Sequence, residues 1–95
     1  MPLLLPLQRD LYVLQWMHAA EKDARALPGD HSGKVHAAIE KLPVDPRPPN
    51  AGAKHGPLRG LLGIAVGRFR ILYRVDDVRR LIAVLRIRDR KEVYR

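Results

Sequence analysis

From Gly67 to Asp76 the side chains alternate in character so regularly that the segment reads as a strand with two unlike faces. At period two, Phe69, Ile71, Tyr73 and Val75 form an unbroken apolar row, whereas Arg68, Arg70 and Arg74 point the other way with only Leu72 among them. A second run, Leu81 to Ile87, reads as another strand. Its even positions Ile82, Val84, Arg86 and Arg88, continuing to Arg90, again set arginines on one face. The turn material from Asp76 to Arg80 is short enough for the two strands to pair as a hairpin. With Asp76 near Arg80 in that pairing, Arg70 falls opposite Arg86 and Arg68 opposite Arg88. Like charges facing each other across a sheet are unfavourable, so the expected role of this face is to meet a polyanion. The competing account is a solvated face on which long arginine stems cover apolar surface.

Charge placement favours the polyanion. The chain carries a net charge of +8, and residues 1–47 are balanced, with six basic and six acidic side chains. Residues 48–95 hold twelve basic against four acidic side chains, and ten of the twelve are arginine, whose planar fork suits phosphate. Such asymmetry points to nucleic acid or an acidic protein partner. A length of 95 residues allows one domain with a modest core. The absence of cysteine excludes a disulfide scaffold and thiolate metal sites and fits a reducing compartment, the cytoplasm. No His, Asp or Glu cluster has metal-ligand spacing, and no run approaches the roughly 20 apolar residues of a membrane span.

Residues 1–10 read as an apolar, loosely held tail, broken by Pro2 and Pro6, and residues 11–95 as one domain. Leu11 to Trp16 has strand composition, as an edge or a central partner of the hairpin. Met17 to Leu27 is patterned as an amphipathic helix that Pro28-Gly29 ends. From Asp30 or Ser32 as N-cap a second helix follows, with Val35, Ala38, Ile39 and Leu42 on one face. His18, His31 and His36 fall in this half and read as surface or capping residues. Pro43, Pro46, Pro48, Pro49 and Pro57 make the segment from 43 to 57 an extended loop carrying Lys54 and His55, and Leu61 to Val66 is a short strand. The expected fold is α+β: an N-terminal strand, a helical hairpin, then a three-stranded antiparallel meander with the helices packed on one face of the sheet.

Five stretches carry a resemblance. The Leu27-Pro28 junction, Asp45-Pro46-Arg47-Pro48-Pro49, Leu58-Arg59-Gly60, Gly67-Arg68-Phe69-Arg70-Ile71-Leu72-Tyr73 and Arg90-Lys91-Glu92-Val93-Tyr94 resemble, in that order, the RelE/ParE superfamily of bacterial toxin–antitoxin toxins. The likeness runs over residues 11–95. It implies a toxin of a type II system, a small ribonuclease that cuts messenger RNA in the ribosomal decoding site without metal or other cofactor and is silenced by a cognate antitoxin. Arg70 matches the arginine of the family's strand motif, Arg90 the arginine near its C-terminus, and Tyr94 the tyrosine of its Glu-Val-Tyr ending. These three are the expected catalytic residues, with Arg59, Arg68, Arg86, Arg88, Lys54 and His55 as RNA- or phosphate-binding residues.

The chain also departs from the pattern. Where strongly active members carry Lys or Arg at alternate positions of the strand before Gly67, this chain has Gly63 and Ala65. Before the C-terminal arginine, where His or Lys is usual, it has Asp89. A usual general base is therefore missing. Arginine stays protonated, so Arg70, Arg88 and Arg90 are electrostatic stabilisers of developing phosphate charge rather than proton donors. Tyr94 can donate a hydrogen bond or stack on a base. A site without a tuned acid–base pair forgoes about 100- to 10,000-fold in rate and depends on something else, here the ribosome, to hold its substrate in line. Two alternatives stay open: a gyrase-directed binding inhibitor like the ParE branch, and an inactive or simple RNA- or protein-binding homologue.

Overall fold

In the computed structural model, which describes residues 11–53 and 60–93, the two alternating runs are central neighbours in one sheet. The elements are β1 (Val13–Trp16), α1 (His18–Arg25), α2 (Gly29–Glu40), β2 (Ala51–Ala53), β3 (Leu62–Val66), β4 (Phe69–Asp76), β5 (Leu81–Asp89) and the single turn α3 (Arg90–Val93). The strand order is β1-β5-β4-β3-β2. Strand β1 lies at the edge parallel to β5, and the other pairs are antiparallel. This is the α+β architecture expected: a strand, two helices and an antiparallel meander.

One element was not expected. The segment read as all loop contains β2, which extends the sheet by pairing Ala51 with Ile64 and Ala53 with Leu62. No proline falls between Pro49 and Pro57, and a three-residue edge strand fits in that gap. A helix start differs too. Neither Asp30 nor Ser32 caps α2, because Pro28 stands at the cap and its carbonyl accepts the N–H of His31 and of Ser32, each at 3.0 Å. Helix α1 is also shorter than its apolar pattern, ending at Arg25.

The core lies between the helices and one sheet face. Ala20 of α1 and Val35 and Ile39 of α2, with Leu42 just beyond, pack on Ile64, Phe69, Ile71, Tyr73, Ile82, Val84 and Ile87. Val35, Ile39 and Leu42 are spaced to share one helical face, and fully burying each side chain contributes about 1.5–3 kcal/mol. Tyr73 is wholly buried. Its hydroxyl donates to the Pro46 carbonyl at 2.7 Å, tying the proline-rich loop to the core. Burial pushes its phenol up to about 12.

The hairpin register differs from the expected one, with consequences for every arginine in it. Asp76 pairs with Leu81 rather than Arg80, and the ladder runs regularly to Tyr73↔Val84. There Leu85 stands as an extra residue, a bulge, and pairing resumes with Leu72↔Arg86, Ile71↔Ile87, Arg70↔Arg88 and Phe69↔Asp89. Ile82 and Val84 therefore face the core with Ile87, whereas Arg86 and Arg88 face away. The expectation that Ile82, Val84, Arg86 and Arg88 share one face is wrong, because the bulge shifts the alternation by one residue. Arg70 is opposite Arg88, not Arg86, and Arg68 lies in the turn rather than opposite Arg88.

Candidate nucleic-acid interface

The sheet face turned away from the helices carries Arg70 and Arg88 as cross-strand partners, with Leu72↔Arg86 and Arg74↔Ala83 as the next pairs outward on that face. Both Arg70 and Arg88 are half-buried. On the other side of β4, Ala65 pairs with Arg70 and Gly63 with Leu72, so the residues flanking the arginines there are small. Phe69 and Ile71, immediately before and after Arg70, are anchored in the core. Arg70 is thus presented by a rigid strand rather than by a loop. Leu72 is only 8 % exposed despite its outward register.

Arg86 is committed elsewhere. Its Nε donates to Asp23 Oδ2 at 2.8 Å and its Nη2 to Asp23 Oδ1 at 3.2 Å, a fork on α1. Asp23 Oδ2 also accepts the Ile87 N–H at 2.9 Å, a donor that β1, ending at Trp16, does not reach. Burial works against the charge on Asp23, but the hydrogen bonds from Arg86 and the Ile87 N–H outweigh it and hold the carboxyl below its ordinary value. Arg68 and Arg86, expected to face other arginines, each have a carboxylate partner instead, remote in sequence and invisible to a strand-by-strand count.

Arg68 sits with a different set of residues. Its Nε is 3.2 Å from Asp89 Oδ2, and its guanidinium lies over the Phe69 ring, 5.1 Å from the centroid. Asp89 Oδ1 accepts the Lys91 N–H at 3.0 Å, and the Arg90 N–H donates to the Arg68 carbonyl at 2.6 Å. Arg68, Asp89, Arg90 and Lys91 line one cleft. Of the expected catalytic residues, Arg70 is thus grouped with Arg88, and Arg90 with Arg68 and Lys91. Tyr94, Arg59, Lys54 and His55 lie outside the described residues.

Sequence reasoning overlooked Lys91, Asp23 and the ring contacts of His31 and His36. The His31 ring packs edge-on to Phe69 at 5.1 Å, and His36 is tilted on Trp16 at 5.5 Å. Both are aromatic packing partners, not caps. Among the described residues no three or more His, Cys, Asp or Glu side chains are grouped to hold a metal ion, and no helix is long and apolar enough to cross a membrane.

A mixed five-stranded sheet, backed by two helices and faced with arginines, is the fold of the RelE/ParE superfamily of toxins. The particular family follows from the sequence: residues 14–94 match the family described as the ParE toxin of the type II toxin–antitoxin system parDE, and the chain belongs to it. No curated protein matches the chain. Among solved structures, the chain is similar to one in the RelBE2 toxin–antitoxin complex from Mycobacterium tuberculosis. Identity there is 25%, over 84% of this chain and 99% of that chain, with a TM-score of 0.66. It shares its fold with the isolated E. coli RelE toxin, at 22% identity over 87% of this chain and 90% of that one, TM-score 0.71. It also shares its fold with YafQ from E. coli, at 13% identity over 88% and 99%, TM-score 0.72.

Proposed function

We propose that this type II toxin arrests translation as a ribosome-dependent endoribonuclease, in which Arg70 and Arg88 stabilise the phosphate under attack by the neighbouring 2′-hydroxyl. The observation that carries the reading is the Arg70↔Arg88 register. Two guanidinium groups on adjacent, core-anchored strands offer preorganised donors for charge that develops on a phosphorane-like transition state. Proton transfer has no tuned pair among the described residues of this face, so the rate depends on the ribosome positioning the messenger. On the resemblance, Arg90, which directly follows β5, and Tyr94 act on the same RNA substrate. No metal or organic cofactor enters the mechanism, and the work is done in the cytoplasm.

A cognate antitoxin is the expected protein partner. The similar M. tuberculosis structure is of a toxin–antitoxin complex, and the arginine-rich outer face suits an acidic or amphipathic segment, whose approach would be salt-sensitive. A second reading, a ParE-like inhibitor that binds its target without cutting RNA, is favoured by one observation: Ala65 and Gly63 occupy the positions beside Arg70 and Leu72, so β3 adds no cation to the face. Mapping messenger 5′ ends by primer extension after induction separates the two. Cuts within reading frames support the nuclease, and DNA damage without cuts supports the inhibitor and rejects the nuclease.

A further inference from the structure

We infer that the cleft lined by Arg68, Asp89, Arg90 and Lys91 is a second phosphate-binding site, which holds the RNA strand where it rounds the end of the sheet, apart from Arg70 and Arg88. This rests on the RNA-directed reading above and adds to it a path for the substrate. The cleft encloses about 380 Å³ and is lined by these four charged residues. Its one carboxylate is already engaged at both oxygens, by Arg68 Nε at 3.2 Å and by the Lys91 N–H at 3.0 Å. Among the described residues that line it, three cations stand against one satisfied anion.

The Arg68 guanidinium is held in place by Asp89 on one side and the Phe69 ring on the other, yet its side chain remains 59% exposed. Its position is fixed while part of it faces solvent, which is the preorganisation an anion site needs. Two backbone donors here are already committed, the Arg90 N–H to the Arg68 carbonyl and the Lys91 N–H to Asp89, which leaves the side-chain cations as the main groups to meet an anion.

Register decides what kind of anion. Phe69↔Asp89 and Arg70↔Arg88 are consecutive pairs of the same ladder, and consecutive pairs point to opposite faces. The cleft's Asp89 and the outer arginine pair therefore lie on opposite faces at the last rungs of the sheet, with Arg68 in the turn and Arg90 and Lys91 beyond the ladder. A single small anion meets one or the other, whereas a polynucleotide bent around the sheet end places successive phosphates on both.

The test is binding of a 2′-O-methyl RNA oligonucleotide, which resists cleavage, to the purified full chain by fluorescence anisotropy across a salt series. Lys91→Ala and Arg68→Ala should each weaken binding and reduce the slope of log affinity against log salt by about 0.7, one phosphate on a single strand. Lys91→Arg should restore the slope. If Arg70→Ala/Arg88→Ala lowers the slope but Lys91→Ala and Arg68→Ala do not, the cleft is overturned and the outer face stands. If wild type itself shows no salt-dependent RNA binding, the RNA reading fails and takes the cleft with it. If Lys91→Ala and Arg68→Ala weaken only the association with an acidic antitoxin peptide, the cleft serves protein and the inference is overturned.

Discussion

At the scale of single residues, Arg70 carries the most weight. Arg70→Ala is expected to leave the melting temperature close to wild type, since Phe69 and Ile71 on either side still anchor β4 in the core. It should cut messenger cleavage 100- to 1,000-fold, the typical cost of about 2.7–4 kcal/mol for one lost transition-state donor. Induction at matched soluble expression checks it, and undiminished cleavage would remove Arg70 from the site. Asp23 tests a different property. Its carboxyl sits below its ordinary 3.8 in the folded chain, so its stabilising contribution is complete above that pH and lost as pH falls through the lower folded value. Thermal melts from neutral pH to about pH 2 should show wild type losing stability in that acid range more steeply than Asp23→Asn. Arg70 was legible in the sequence because its neighbours declare their burial. Arg86 was not, because the partner that claims it lies 63 residues away.

Among the elements, the hairpin shows where sequence reasoning stops. That β4 and β5 exist and pair was plain from alternation and a short turn, but from Leu81 to Arg88 both odd and even positions hold enough apolar residues to pass for the buried side. Nothing local marks Leu85 as the extra residue. The bulge keeps Ile87 inward and Arg88 outward, so the ladder tolerates losing Leu85 better than losing a residue on either side. Deletion of Leu85 should give a folded protein with a regular ladder, less stable by about 1–3 kcal/mol for a half-buried leucine, as read from denaturant midpoints. Failure to fold would show that the bulge itself is required. The β3–β4 turn makes a simpler case. Val66 pairs with Phe69 across Gly67 and Arg68, and Gly67 has φ +59°, as two-residue hairpins with glycine first require. An added Cβ would come only within 3.9 Å of His31 Nδ1, so Gly67→Ala should cost about 1–2 kcal/mol through backbone conformation rather than collision.

For the molecule as a whole, a surface clasp joins three distant parts. Asp77, in the β4–β5 turn, accepts Arg47 Nη1 at 3.1 Å and Nη2 at 2.9 Å and the Tyr12 hydroxyl at 2.5 Å, while the Arg80 guanidinium lies over the Tyr12 ring. The hydrogen bonds from Arg47 and Tyr12 hold the Asp77 carboxyl below its usual range, and the bond to Asp77 holds the Tyr12 phenol above its own. Arg47→Ala and Asp77→Ala should therefore be non-additive: the double variant should melt close to the Asp77→Ala single, and additive losses would show no coupling. Strand order has a consequence in time. Strand β5 lies between β1 and β4, so the first strand made waits for the last before it has a neighbour. A nascent chain halted before Leu81 has no mate for Val13–Trp16 and no Arg88 to stand beside Arg70. Under the nuclease reading, synthesis interrupted by the toxin's own action on the translation machinery yields fragments without the arginine pair, and the supply of active toxin limits itself.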